Sequence, residues 1–178
     1  MNPKIERLTK QFAKLPRVGN RAAQRIVLSL LQTRDGRIEN LIAALMDANE
    51  NIVPCEICGT LTDKTAGRCE FCRDMGRENG QICIVRDMGD VWVLEKSSVF
   101  HGRYHIIGGL ISGTAGVMPD DLNISTLPAR IKNENITEII FALPNRAHAA
   151  VAAPVVRRPA HNGVPYSVFM LALRHIPG

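Results

Sequence analysis

Aromatic side chains are scarce in this sequence, at 4% of residues with a single tryptophan. Any core is therefore mainly aliphatic. Long apolar runs are missing too: no stretch of about 18 apolar residues exists to cross a bilayer as a helix. Met1-Asn2-Pro3-Lys4 leads into an amphipathic segment with no signal-peptide apolar region, so the reading is cytoplasmic with no membrane partner. Neither G-x-x-x-x-G-K-[ST] nor G-x-G-x-x-G occurs, which removes support for nucleotide binding of those kinds. Acidic charge is in the minority, with 17 Asp and Glu against 22 Lys and Arg. Cysteine is nearly absent outside one window: of five cysteines, four fall between 55 and 72.

That window holds Cys55-Glu56-Ile57-Cys58 and Cys69-Glu70-Phe71-Cys72, two Cys-x-x-Cys turns with ten residues between them. Each turn sets two thiolates on one side, and two such knuckles facing each other close an S4 tetrahedron suited to zinc. Four unrelated thiols, or two labile disulfides, are the plainer alternatives. The expectation is one structural Zn2+ per chain on Cys55, Cys58, Cys69 and Cys72, because a four-thiolate site leaves no position for a catalytic water. Cys83, inside an apolar run, is expected as a core thiol.

The positive charge is concentrated ahead of the knuckle. Residues 1–50 carry nine Lys/Arg against five Asp/Glu, whereas 51–80 carry four against five and 81–178 nine against seven. A basic N-terminal module points to a polyanion. Ile5, Leu8, Phe12 and Leu15 recur at helical spacing, and Ala22, Ala23, Ile26, Val27, Leu30 and Leu31 form a second stripe. Between them, Pro16 limits helical continuation, Gly19 is free to take a backbone conformation closed to other residues, and Asn20 is a good N-cap. A third helix is expected from about Ile38 to Asn49, with Leu41, Ala44, Leu45 and Ala48 inside. The hairpin offers an anion site at the start of the second helix. Its candidate phosphate contacts are Lys14, Arg17, Gly19, Arg21 and Arg25. A plain helical hairpin whose glycine only makes a turn is the alternative.

From Ile82 the pattern becomes short apolar runs between turns: Ile82–Val85, Val91–Leu94, Tyr104–Ile107 and Ile139–Leu143, all read as strands. A helix from Asp120 or Asp121 to about Lys132, carrying Leu122, Leu127 and Ile131, separates the last two. This alternation argues for a small, mainly parallel α/β domain. His101 and His105 are four apart, but Gly102 between them argues against a helix aiming both at one metal. The fold class is thus a multi-module α+β/α/β chain. Its expected divisions are 1–53 helical, 54–79 zinc knuckle, 80–165 α/β, and 166–178 a divergent tail.

The blocks in this order resemble the bacterial recombination mediator family RecR. The resemblance rests on Leu15-Pro16-Arg17-Val18-Gly19-Asn20-Arg21-Ala22-Ala23-Gln24-Arg25 and the four cysteines. It continues through Ile84 to Glu95, Gly102-Arg103-Tyr104-His105-Ile106-Ile107-Gly108-Gly109, and Gly116-Val117-Met118-Pro119-Asp120-Asp121-Leu122. It implies a helix-hairpin-helix module and a topoisomerase-primase (Toprim) fold for the third part. It also implies a non-enzymatic, ring-like homo-oligomer (dimer or tetramer) in recombinational repair. Such a protein acts at gapped DNA or single-strand/double-strand junctions, is associated with the nucleoid, and works with RecO and RecF to help load RecA.

Departures from the family pattern are concentrated. Arg86 stands where the first Toprim glutamate is usual. Leu143-Pro144-Asn145-Arg146-Ala147-His148-Ala149-Ala150 replaces Thr-Asn-Pro-Thr-Val-Glu-Gly-Glu. Arg86, Asp87, Asp90, Glu95, Arg146 and His148 therefore make up a degenerate Toprim site. Two other functions compete: a zinc-stabilised interaction module without a DNA role, and a Mg2+-dependent Toprim nuclease or primase. The latter needs converging carboxylates, and Arg86 opposes it.

Overall fold

The computed structural model describes residues 2–33, 35–109, 122–143 and 165–168. The chain forms two compact units, Met1–Asn51 and Ile52–Gly178.

The first unit is three helices: α1 (Pro3–Phe12), α2 (Asn20–Gln32) and α3 (Arg37–Asn51). Asn2 caps α1, its side chain accepting the Lys4 amide at 2.9 Å, and Pro3 sits in the first turn, where its missing N–H costs nothing. After α1 the Val18 amide donates to the Leu15 carbonyl at 3.1 Å across Pro16 and Arg17. Proline's fixed φ excludes the mirror-image turns, and Arg17 has φ 64°, so this is a type II turn. The left-handed residue is therefore Arg17 and not Gly19, whose φ is −78°. Asn20 is likewise not the N-cap. The Gly19 carbonyl already accepts the Ala23 amide at 2.9 Å, so the helix ladder starts one residue earlier than expected.

Ala23 and Val27 are buried against α1, while Ile5, Leu8 and Phe12 are half-buried. On α3 the expectation of an inside face fails. Every residue from Glu39 to Asn51 is exposed, Leu41 and Ala48 included, and Leu45 reaches 61%. The stripe exists in the sequence, but among the described residues of this unit nothing covers it.

The second unit begins with an antiparallel hairpin, β1 (Ile52–Pro54) and β2 (Leu61–Asp63), whose loop is the first Cys-x-x-Cys turn. Short helix α4 (Glu70–Arg73) carries the second. A four-stranded parallel sheet follows, built from β3 (Gln81–Val85), β4 (Arg103–Ile106), β5 (Glu138–Ala142) and β6 (Tyr166–Val168) in the order β4-β3-β5-β6. Helices α5 (Met88–Ser97) and α6 (Leu127–Asn133) connect it. Both faces are covered, as a parallel sheet requires. Cys83 and Val85 pack with Val91, Leu94 and Tyr104 on one face, and Ile82 and Ile84 with Leu127, Ile131 and Phe141 on the other.

Three expectations change here. Val91–Leu94 is the middle of a helix and not a strand. Asp87 accepts the Gly89 and Asp90 amides at 2.8 and 3.3 Å and so caps α5, overriding the β-branched run. The helix expected from Asp120 or Asp121 starts only at Leu127, because Pro128 is tolerated in a first turn and not deeper; Asp120 and Asp121 lie outside the described residues. Tyr166–Val168, placed in the tail, is a strand of the sheet. Among the described residues no helix is long and apolar enough to cross a membrane.

His105 on β4 is fully buried, with Nε2 2.6 Å from the Asn123 carbonyl and Nδ1 3.2 Å from Arg130 Nη1. Arginine only donates, so Nδ1 accepts and Nε2–H donates, which fixes the neutral tautomer. Burial pushes the imidazole down to about 4, and the Arg130 charge adds to it. Between the usual histidine value and about 4 the unfolded chain binds the extra proton, so this group removes stability as pH falls through that window. Asp90, raised by burial, works in the opposite direction. Urea unfolding of wild type and His105→Gln is expected to diverge from pH 7 towards pH 4.5, by up to about 3 kcal/mol, with wild type losing more. Parallel pH curves would show that His105 is not buried neutral.

Candidate metal centre and nucleic-acid interface

The cysteines come together. One sulfur from each of Cys55, Cys58, Cys69 and Cys72 lies within 4.8 Å of the others, and all four residues are buried. None is disulfide-bonded. Cys58 Sγ is 3.3 Å from Cys69 Sγ and 2.9 Å from Thr60 Oγ1. The hairpin positions the first pair: the Cys55 amide donates to the Thr60 carbonyl at 2.7 Å, the Gly59 amide to the Cys55 carbonyl at 2.8 Å, and Gly59 takes φ 78°. Cys69 precedes α4 as its N-cap and Cys72 lies inside it.

The electrostatics show what this arrangement asks for. Cys69 is driven strongly down because Cys58 and Cys72 donate to it, and those two are driven up in return, Cys58 to about 12. Without a cation, one thiolate is solvated by its neighbours and the others stay protonated. Only a positive ion at the centre stabilises several thiolates together. The donor set therefore fits a soft or borderline divalent metal in a closed site.

The knuckle is not free-standing. Its four cysteines share one core with Cys83, Val85, Val91 and Tyr104 of the sheet unit. The Ile106 amide donates to the Cys58 carbonyl at 2.7 Å, which occupies part of the open edge of β4. A Cβ at Gly59 would lie 3.0 Å from the Ile106 carbonyl oxygen, so the glycine also permits this close approach. Arg77 donates to Glu95 at 3.0 and 2.7 Å and lies 5.0 Å from the Phe71 ring centre, while the Tyr104 hydroxyl donates to Glu95 at 2.6 Å. Burial works against the Glu95 carboxylate, but Arg77 and Tyr104 outweigh it and hold its pKa below the usual range. Cys58→Ala is accordingly expected to lower the unfolding free energy of the sheet unit by roughly 2–4 kcal/mol, seen as a lower urea midpoint in the far-ultraviolet signal, and not only to loosen residues 54–79. An unchanged midpoint would show that the sheet does not depend on the knuckle.

The degenerate Toprim residues divide. Arg86 follows β3; its Nε donates to Asp87 at 2.7 Å, its Nη2 is 3.6 Å from Asp90, and its amide donates to Asp90 at 3.1 Å. Asp90 is buried, which raises its pKa. Both carboxylates thus already have a tethered cation. Glu95 is engaged with Arg77 and Tyr104 instead. Arg146 and His148 lie outside the described residues.

At the hairpin, α2 begins with Gly19 as N-cap, no side chain caps it, and no acidic residue stands in its first turn. Its first amides are therefore open, and nothing lies within 4 Å of a Cβ placed on Gly19. Lys14, Arg17, Arg21 and Arg25 are all exposed, and none has an ion-pair partner among the described residues. Sequence reasoning missed Arg77, Glu95 and Tyr104 as the tie between knuckle and sheet. It also missed buried Arg130, which donates to the Tyr104 carbonyl at 2.6 Å. Long-range pairs of this kind leave no local periodicity to read.

Two family models match: the RecR helix-hairpin-helix over residues 5–49 and the Toprim domain over residues 80–145. Recombination protein RecR of Caulobacter sp. (strain K31) is 40% identical over 176 residues, covering 98% of this chain and 86% of that protein. That of Rhodospirillum rubrum is 40% identical over 152 residues, 85% and 76% of the two chains. That of Paracoccus denitrificans is 43% identical over 139 residues, 78% and 69%. With its cysteine cluster, its parallel sheet and this breadth of likeness, the chain belongs to the RecR family.

Proposed function

We propose that this protein is a non-enzymatic DNA-binding accessory factor of recombinational repair. In this reading it acts as a clamp-like homo-oligomer at gapped DNA or single-strand/double-strand junctions, with RecO and RecF as partners in loading RecA. It would be cytoplasmic and nucleoid-associated. Residues 1–53 are its DNA module, 54–79 a zinc knuckle, and the part from residue 80 a Toprim scaffold. The observation that carries the DNA role is the uncapped start of α2, with its open amides flanked by exposed Arg17 and Arg21. Such a site contacts backbone phosphate and not base identity. Lys14 and Arg25 extend it. The uncovered apolar stripe of α3 supports self-association, since so much exposed Leu, Ile and Met is unusual on a chain that works alone.

Arg86 supports the absence of catalysis. A Toprim metal site gathers carboxylates to hold Mg2+ beside phosphate, and here Asp87 and Asp90 are already paired with a guanidinium. The metal of the knuckle is Zn2+, held by four thiolates with no open position and serving structure alone. Elemental analysis is expected to give one zinc per chain, and less than half an equivalent in carefully purified protein would exclude it.

The Arg17→Ala/Arg21→Ala double variant tests the interface on a gapped duplex. Affinity is expected to fall about equally for unrelated sequences, and the slope of log K against log salt to lose about one unit per phosphate contact removed. Unchanged affinity and slope would make the hairpin purely structural.

A further inference from the structure

The single tryptophan of the chain lies on none of the surfaces discussed so far. On α5, Val91 and Leu94 face the sheet and are buried, whereas Trp92 is 64% exposed. Trp92 and Met88 border a groove of about 370 Å3 between α5 and the knuckle, with Glu70, Asp74, Arg77 and Glu95 as its charged lining. Leaving the largest aromatic side chain in water forgoes burial that the fold had available. Tryptophan at the lip of a groove is characteristic of a binding anchor.

The charge of this groove is opposite to that of the protein. Three carboxylates line it against one guanidinium, in a chain of net charge +5. The single cation is already consumed: Arg77 gives both terminal nitrogens to Glu95 and has Nε 3.5 Å from Asp74. Glu70 has no ion-pair partner among the described residues, and the Asp74 side chain is 55% exposed. Lys96, one turn beyond Trp92, is not part of the lining. The floor is held rigid by the Arg77–Glu95–Tyr104 bonds and the Phe71 ring, so little ordering is needed on binding.

We propose that the groove between α5 and the knuckle is a docking surface for a basic segment of a protein partner. An arginine or lysine of that segment stacks on the Trp92 indole and pairs with Glu70 and Asp74 beyond it, while an adjacent apolar side chain covers Met88. A cation over indole is attracted by the ring's negative face, and nearby carboxylates strengthen the pairing. Nucleic acid is disfavoured at the same place. An indole stacks well on a base, but the carboxylate rim repels the phosphates that would accompany it. The surface does not depend on DNA binding at the hairpin, so either can fail without the other.

Trp92 is its own probe, since no other tryptophan contributes emission. The full-length, metal-loaded protein is titrated with an acetylated nine-residue peptide of alternating arginine and leucine, with its glutamate–leucine counterpart, and with oligothymidylate. The arginine peptide is expected to shift the emission saturably to the blue, and to bind at least tenfold more tightly than the glutamate peptide. Glu70→Gln/Asp74→Asn is expected to weaken it at least fivefold at an unchanged unfolding midpoint. Calorimetric titration of Trp92→Ala is expected to show a comparable loss, whereas Arg17→Ala/Arg21→Ala is expected to bind the peptide normally. Equal binding of both peptides, or none, overturns the proposal. So does saturable quenching by oligothymidylate alone, which would make Trp92 a base-stacking platform. An emission maximum that moves with protein dilution also overturns it, since the groove would then be covered by a second copy of the chain.

Discussion

Four thiols cannot stay within 4.8 Å of one another as thiolates unless a cation sits among them. Much of the second unit packs around that cluster. The β1–β2 loop and α4 meet at this cluster, and beside it the Cys58 carbonyl accepts the Ile106 amide on the edge of β4. The same closure puts Phe71 and Arg77 against Tyr104 and Glu95. A segment too short to own an apolar core borrows that of the sheet, and in return covers an edge and a face that would otherwise meet water. Knuckle and sheet share one core although they read as separate modules.

Charge is sorted over this framework. Where α2 starts, no side chain caps the helix and arginines stand exposed, whereas in the lining of the Trp92 groove three carboxylates outnumber one guanidinium. Arg86 is a third case, in which a tethered cation stands beside carboxylates of a fold that elsewhere gathers them around Mg2+. Whether a given arginine binds outward or inward turns on its neighbours. Among the described residues Arg17 and Arg21 have no ion-pair partner, whereas Arg77, Arg103 and Arg130 each have a glutamate within 3.0 Å and are used internally.

The limits of legibility follow from the same point. The strands Ile82–Val85, Tyr104–Ile107 and Ile139–Leu143 were readable within a residue or two, because a parallel strand buried on both faces is a short continuous apolar run. Val91–Leu94 has the same appearance and is helical. The deciding signal, the Asp87 cap one turn upstream, is local but outweighed by β-branched composition when read alone. At the hairpin, glycine was the natural choice for the left-handed position, yet proline dictates the turn type and so assigns positive φ to the residue after it, Arg17. The apolar stripe of α3 was correctly seen, but a stripe records only that a face seeks cover, not that the chain provides it.

The sequence by itself determined the four-cysteine cluster, the parallel α/β character and the basic hairpin, because each rests on spacing or composition within a few residues. Cys-x-x-Cys sets two sulfurs on one turn whatever surrounds it, and an apolar run between turns needs a covered strand wherever it falls. Tertiary structure alone decided that the knuckle shares the core of the sheet, that Glu95 belongs to Arg77 and Tyr104, and that Trp92 stands open beside Glu70 and Asp74. These depend on pairs well apart in sequence, 9 residues for Glu95 with Tyr104, 18 for Arg77 with Glu95 and 26 for Tyr104 with Arg130. Their energies arise only after the chain has brought them together, and no local pattern encodes that meeting.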